Sequence, residues 1–309
     1  MSQLHTEYCK HFRPLSGGGM EIFMKELIVL GTGNATTIHC YNTCFALKEG
    51  EEYFLTDAGG GNGILLVLEQ NQIRLEQIHH LFVTHAHSDH IFGVFWLLRM
   101  IAARMDKGSY QGTLTVYCHA ELAQTIQTIA QLTIGKKIAR YVDNRIVFHI
   151  IHDGEKLSIL DNIFTFFDIR STKEKQFGFL LHSSDGFRIA FPGDEPCCIP
   201  HPGKADSLRP EKPELKEHLR PYIENADWLL HEAFCLYSQR NAFSPYKKHH
   251  STVADACLIA EALQIPHLVL WHTEEKNLSR RAELYTAEGN HYYHGNLIIP
   301  EDGQHILFN

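Results

Sequence analysis

Thr84-His85-Ala86-His87-Ser88-Asp89-His90 follows the apolar run Leu81-Phe82-Val83 and leads into helical spacing at Ile91, Val94, Phe95, Leu98 and Ile101. The pattern predicts a short buried strand over 81–84, a loop, and a helix over 89–105. His85 and His87 stand two apart just after the strand, so an extended backbone points both rings the same way. Asp89 and His90 fall where the loop turns into the helix. One short loop therefore projects three imidazoles and a carboxylate toward a common volume. That donor set suits zinc, iron or manganese better than calcium. A polar loop with unrelated surface histidines is the bland alternative. The spacing and the strand–loop–helix context together argue against it.

Outward from this loop, strands and helices alternate. Upstream, Leu27–Leu30 reads as a strand running into the turn Gly31-Thr32-Gly33-Asn34. Cys44–Leu47 and Tyr53–Thr56 read as a hairpin about Lys48-Glu49-Gly50, ending at Asp57-Ala58-Gly59-Gly60-Gly61. Residues 62–69 look helical. Downstream, strands are expected over 113–118, 146–150 and 163–169, with a helix over 121–131. Phe177–His182 and Phe187–Phe191 form a second hairpin, followed by Pro192-Gly193-Asp194. Residues 195–221 are rich in proline and charge and read as a surface segment. A strand over 228–231, a helix over 252–263 and a strand over 267–271 ending at His272 complete the pass. No strong linker interrupts the series. The expectation is one α/β domain over 21–309, a sandwich of two mixed sheets with helices on the outer faces, after a flexible leader over 1–20 ending in Ser16-Gly17-Gly18-Gly19.

Composition narrows the class. Of 309 residues, 44% are hydrophobic and 21% charged, ordinary for a soluble globular chain. No apolar run reaches the length needed to span a bilayer, and the N-terminus lacks the apolar stretch of a secretory signal. Eight scattered cysteines, none in a CxxC pair, suit a reduced, cytoplasmic protein. A net charge of -8 argues against a long nucleic-acid partner, though a local basic patch remains compatible with it. The 22 histidines fit metal and proton chemistry.

With its HxHxDH run in this context, the chain resembles the metallo-β-lactamase superfamily, and within it the ribonuclease Z branch. The resemblance covers residues 25–272. It rests further on Leu30-Gly31-Thr32-Gly33, Asp57, Pro192-Gly193-Asp194, His231-Glu232-Ala233, His250-Ser251-Thr252 and Trp271-His272-Thr273. It implies an αββα sandwich with one or two metal ions, zinc first and manganese or iron as alternatives. It implies that His85 and His87 hold the first metal, that Asp89, His90 and His272 hold the second, and that Asp194 bridges them. Asp57 would orient the histidine loop, Asp89 would also orient the nucleophile, and His250 would give a proton to the leaving group. His231 and Glu232 would stand behind the site or face the substrate. Each residue keeps a plainer reading: Asp57 as a turn cap, Asp194 as a turn residue, His272 and His231 as core histidines, His250 as a surface residue.

Two departures from that branch bear on function. Its third-motif histidine, ahead of the Gly-aromatic hairpin, is absent from Phe167-Asp168-Ile169-Arg170-Ser171-Thr172-Lys173. The period of two would put Asp168 and Arg170 on one face, where Arg170 can meet an anionic substrate. The basic tRNA-clamping arm has no room between Gly178 and Asp194. The resemblance thus implies a hydrolase that uses a metal-activated water on a small phosphodiester or ester. Its partners are then a small anionic or ester substrate, with no membrane, tRNA disfavoured, and a homodimer as a further expectation. Two alternatives stand beside it: a tRNA 3′ endonuclease, and a weakly active binding or regulatory protein on the same fold.

Overall fold

The computed structural model describes residues 25–200 and 210–308; the leader expected over 1–20 lies outside the described residues. In chain order the first half runs β1 (Glu26–Gly31), β2 (Cys44–Glu49), β3 (Glu52–Thr56), α1 (Gly63–Gln70), β4 (Ile78–Phe82), α2 (Ser88–Lys107), β5 (Leu114–Cys118), α3 (Ala120–Thr133), the single turn α4 (Lys136–Ala139) and β6 (Ile146–Ile150). The second half runs β7 (Lys156–Ile159), β8 (Asn162–Asp168), β9 (Phe177–His182), β10 (Arg188–Phe191), the small pair β11 (Cys198–Ile199) and β12 (Glu214–Leu215), α5 (Arg220–Ile223), β13 (Trp228–Glu232), α6 (Arg240–Phe243), α7 (Val253–Ala262), β14 (His267–Trp271), α8 (Arg281–Gly289), β15 (Asn296–Ile298) and β16 (His305–Leu307).

Two seven-stranded sheets result, ordered β16-β1-β2-β3-β4-β5-β6 and β15-β14-β13-β10-β9-β8-β7. Each is half antiparallel and half parallel. The first changes between β2–β3 and β3–β4, and the second between β9–β10 and β10–β13. The last strand, β16, leaves the second half and pairs antiparallel with β1, so the chain's end closes the first sheet.

Both faces of each sheet are covered, which is why the strands read as continuous apolar runs rather than alternating ones. In β1, Leu27 and Val29 point between the sheets, while Ile28 and Leu30 point to the helices. In β14, Val269 and Trp271 point inward and Leu268 and Leu270 outward. The space between the sheets is filled by aromatic rings, among them Phe45, Phe54, Phe82, Phe164, Phe179 and Trp271. Phe45 stacks on Trp271 at 4.9 Å and Phe54 on Phe164 at 4.3 Å, tying one sheet to the other. α1–α3 cover the first sheet and α7 and α8 the second, giving the four-layer αββα sandwich. No helix among the described residues is long and apolar enough to cross a membrane.

One close approach sets the position of α2. Gly93 donates its N–H to Gly59 O at 2.8 Å, and a Cβ on Gly93 would lie 1.8 Å from Ala58 O. Only glycine lets the helix sit this near the turn after β3. The expected face shared by Asp168 and Arg170 does not form. β8 ends at Asp168, and Arg170 adopts a left-handed backbone, φ 54°, with its N–H turned back to Asp168 Oδ1 at 2.7 Å. The alternation stops there, and Arg170 is exposed.

Candidate metal centre

Five strand ends converge at one end of the sandwich: those of β3, β4, β10, β13 and β14. Each is the carboxyl end of its strand, the usual place for a site in a partly parallel sheet. Asp57 follows β3 and the histidine loop follows β4. Asp194 follows β10 through Pro192-Gly193. Glu232 ends β13, and His272 follows β14.

The side chains form two triads: His85, His87 and Asp194, and Asp89, His90 and His272. Within each, the candidate ligand atoms lie within 4.8 Å of one another. Asp194 joins the two. Its Oδ2 lies 3.5 Å from His85 Nε2, 3.7 Å from His90 Nε2 and 3.8 Å from His272 Nε2. All of these residues are buried except His87, which is partly open. The six residues that the HxHxDH resemblance nominated as ligands are thus brought together in one volume.

Hydrogen bonds on the far side of each ring fix its orientation. Asp57 Oδ2 accepts from His90 Nδ1 at 2.7 Å, and from Thr84 Oγ1 at 2.8 Å, while Asp57 Oδ1 accepts from Thr84 N at 2.8 Å. Thr84 Oγ1 also lies 2.8 Å from His85 Nδ1, and Thr43 Oγ1 lies 3.1 Å from His272 Nδ1. In His85, His90 and His272 the Nε2 atoms are therefore the ones left to face inward. His90 Nε2 is buried and has no hydrogen-bond partner. His85 Nε2 and His87 Nδ1 approach to 2.7 Å, so two imidazole lone pairs meet unless a proton or a cation lies between them.

The electrostatics point the same way. Burial works against ionising Asp194, but His85, His90, His272 and His250 outweigh it and hold the carboxyl well below its usual range. Burial likewise opposes Asp89, and His90 and His272 bring its pKa down. Burial pushes His85 well below the usual imidazole value and His272 down to about 4, so both rings are neutral at neutral pH. Burial also disfavours charge on His90, but Asp57 and Asp89 more than offset it and raise that ring. Ionised carboxylates, the neutral inward-facing nitrogens of His85 and His272, and the unpartnered Nε2 of His90, whose proton a cation would replace, are the donor set a divalent cation requires. The residues fit such an ion.

The remaining nominated residues divide. His250 is buried at the edge of the site, stacked on Phe234 at 5.0 Å with its ring centroid 5.3 Å from His272. Its Nδ1 lies 3.4 Å from Glu232 Oε2. The two atoms form an ion pair only when the ring carries a proton, and both otherwise lack a partner. Burial opposes ionisation of Glu232, while His250 and Ser251 bring its pKa down. His231 faces the other side of β13, as the period of two demands. Its Nε2 accepts from Cys197 N at 3.0 Å and its Nδ1 donates to Glu232 O at 2.6 Å. It holds the loop after Asp194 and does not face the site. Arg170 is exposed beyond the end of β8.

Gln176 is a residue the sequence did not single out. It is buried, and its Nε2 donates to Asp194 Oδ1 at 2.6 Å. A polar residue directly ahead of the apolar run Phe177-Gly178-Phe179 was the only signal available.

Comparison with known proteins places this geometry. The family described as the anti-Pycsar protein Apyc1 matches over residues 25–201, which include all of the histidine loop and Asp194. The ribonuclease Z of Thermococcus sibiricus is 24% identical, over 90% of this chain and 95% of its own. The metallo-β-lactamase fold protein YhfI of Bacillus subtilis superposes with a TM-score of 0.70 at 16% identity, covering 92% of this chain and all of its own. A diphosphatase of the PhnP family superposes with a TM-score of 0.63 at 16% identity, covering 92% of this chain and 98% of its own. The chain is therefore a metallo-β-lactamase-fold protein near the ribonuclease Z branch, and it belongs to the family of the anti-Pycsar protein Apyc1.

Proposed function

We propose that the protein is a metal-dependent hydrolase of small anionic phosphodiesters. The observation that carries this is the single oxygen, Asp194 Oδ2, placed among the inward nitrogens of His85, His90 and His272. His85, His87 and Asp194 would hold one ion, and Asp89, His90 and His272 the other; zinc suits both sets, with manganese or iron as alternatives. Bound there, such ions supply Lewis acidity toward a phosphoryl oxygen and acidify a water.

The chain's own groups do the rest. Asp57 and Thr84 keep the ring nitrogens aimed. Asp89, with one carboxylate oxygen 3.4 Å from His90 Nε2, can orient a nucleophile as well as bind. His250 can give a proton to the departing oxygen. Glu232 stands behind it with Oε2 3.4 Å from Nδ1, and Phe234 stacks on the ring plane. Cations border this end: Lys248 Nζ sits 4.7 Å over the Phe234 ring, Lys173 Nζ donates to Lys248 O at 3.0 Å, and Lys247 is exposed beside them. They favour an anionic diester over a neutral ester. The name of the diphosphatase and those of the ribonucleases Z point to phosphoryl chemistry among its relatives and fold neighbours.

Protein purified without chelators should carry zinc, iron or manganese and hydrolyse a chromogenic phosphodiester or a cyclic mononucleotide. His250→Ala should keep the metal and lose roughly 10²–10⁴-fold in kcat. Less than about a tenth of an equivalent of these metals combined would refute the reading, since catalytic sites of this kind keep their ion. A metal-loaded protein inert toward every small diester and ester would favour a binding role on the same fold.

A further inference from the structure

Among the described residues, His85, His87 and Asp194 are the only His, Cys, Asp or Glu side chains grouped at the first triad. The stretch ahead of β9, where the sequence pointed to a missing histidine, supplies none. Ser171 Oγ instead donates to Glu195 at 2.7 Å, and Thr172 Oγ1 lies 3.2 Å from His249 Nδ1. The order of the first triad therefore depends on how Asp194 is held.

A carboxylate can exchange its two oxygens by rotating about its last bond, and a buried one needs a partner for each. At Asp194, Oδ2 faces the histidines and Oδ1 accepts from Gln176 Nε2 at 2.6 Å. An ionised carboxylate repels the amide oxygen, so the amide nitrogen must face it. Gln176 is itself fixed. Its O accepts from Ile169 N at 3.1 Å, and the next residue, Phe177, donates to Thr84 O at 3.2 Å, at the start of the histidine loop. Gly193 leaves space for the amide: a Cβ there would lie 2.5 Å from Gln176 Nε2, and the backbone is left-handed at φ 89°. The Pro192-Gly193-Asp194 turn and Gln176 fit each other.

We infer that Gln176 is a positioning residue that locks the rotamer of Asp194, so that one oxygen serves both triads, and that it supplies order which a further protein ligand would otherwise give. This rests on the metal reading above. The test is cobalt(II) binding to the full chain, followed by visible absorption and by chelator competition, in wild type, Gln176→Met and Gln176→Glu. Methionine keeps the length and bulk of the side chain but donates nothing. Glutamate puts a second carboxylate against Asp194. Thermal unfolding of the metal-free proteins checks that each variant is folded.

Both variants should bind cobalt about 10–100-fold more weakly, with altered absorption bands, the size typical of losing a group that orients a ligand. If Gln176 only fills space, Gln176→Met will bind with wild-type affinity and spectrum, and the inference fails. Tighter binding in Gln176→Glu would make the position a ligand rather than a positioner, and also overturns it. Should the methionine variant not fold, weaker or tighter binding in Gln176→Glu still decides the matter. Wild type that binds no cobalt overturns the metal reading itself, and this inference with it.

Discussion

Asp57 is held at φ 56°, a left-handed conformation that Asp and Asn tolerate better than other residues with a Cβ. Three hydrogen bonds use its two oxygens: two from Thr84 and one from His90. Asp57→Asn keeps the size and the backbone preference but replaces one acceptor with a donor. That donor must then oppose Thr84 N–H, or oppose the Thr84 hydroxyl and His90 Nδ1–H together. Metal affinity at the Asp89–His90–His272 triad should fall by roughly 10–100-fold, as for other groups that orient a metal histidine. Chelator competition against wild type measures it, with thermal unfolding of the metal-free forms as control. Undiminished affinity would leave Asp57 a turn residue and nothing more. At this scale the sequence was most legible where spacing itself carried the chemistry. His85, His87, Asp89 and His90 lie in one loop, and Asp194 and His272 each end a strand with a recognisable neighbour. Gln176 was hidden because an amide is neither a metal ligand of choice nor an acid. For His231 the sequence left a place behind the site and a place facing the substrate both open, because the strand parity that turns it away is visible only once its neighbours Leu230 and Glu232 are seen facing inward.

α7 shows how an element presents the site. Thr252 caps it, with its Oγ1 accepting from Asp255 N at 3.3 Å while Asp255 Oδ2 accepts from Thr252 N at 2.9 Å. This capping box anchors the chain directly after His250 and Ser251. Tyr246 also donates to Asp255 Oδ2 at 3.0 Å, but Oδ1 is buried without a partner. Burial accordingly raises the pKa of Asp255. A carboxyl raised in the fold contributes fully below its unfolded value, about 3.9, and that contribution is lost as pH rises through the folded value. Asp255→Asn lacks this titration. Its Tm relative to wild type should therefore move upward as pH rises above about 4, whatever its starting value. A Tm difference independent of pH would mean that the group is not strained by burial. Elements with strong apolar patterns were read from sequence nearly to the residue, as at β6, β9 and β14. β4 begins earlier than expected, because His79 and His80 masked its first half. β7, β15, β16 and α8 were not foreseen: the strands are three or four residues long, and α8 is mostly polar. Such pieces are fixed by the sheet edge they join, not by their own pattern.

On the scale of the whole molecule, two halves of matching topology meet at one site, and the question is how large a substrate that site can hold. Ribonucleases Z are among the relatives, so precursor tRNA is the natural rival to a small diester. The β9–β10 connection bears on the proposed preference for the small diester. Ser183 N donates to Phe187 O at 2.9 Å and Gly186 N to Ser183 O at 3.0 Å, a tight turn with no insertion. β10 then passes through Pro192 and Gly193 straight to Asp194. No clamping arm leaves this hairpin. The net charge of -8 also denies tRNA the long-range attraction that raises association rates by roughly 10–10³-fold in electrostatically steered complexes. The local cations Lys247 and Lys248 are few, and Lys173 beside them also faces Glu195 at 3.8 Å; the proposed substrate is accordingly one with only one or two phosphates. The purified, metal-loaded protein should therefore leave a precursor tRNA trailer uncleaved under conditions in which it turns over a small phosphodiester. Hydrolysis of that small substrate should depend only weakly on salt, because few counterions are released when one or two charges bind. Efficient removal of a 3′ trailer, with the steep salt dependence of a many-phosphate contact, would show that this fold clamps RNA without an arm.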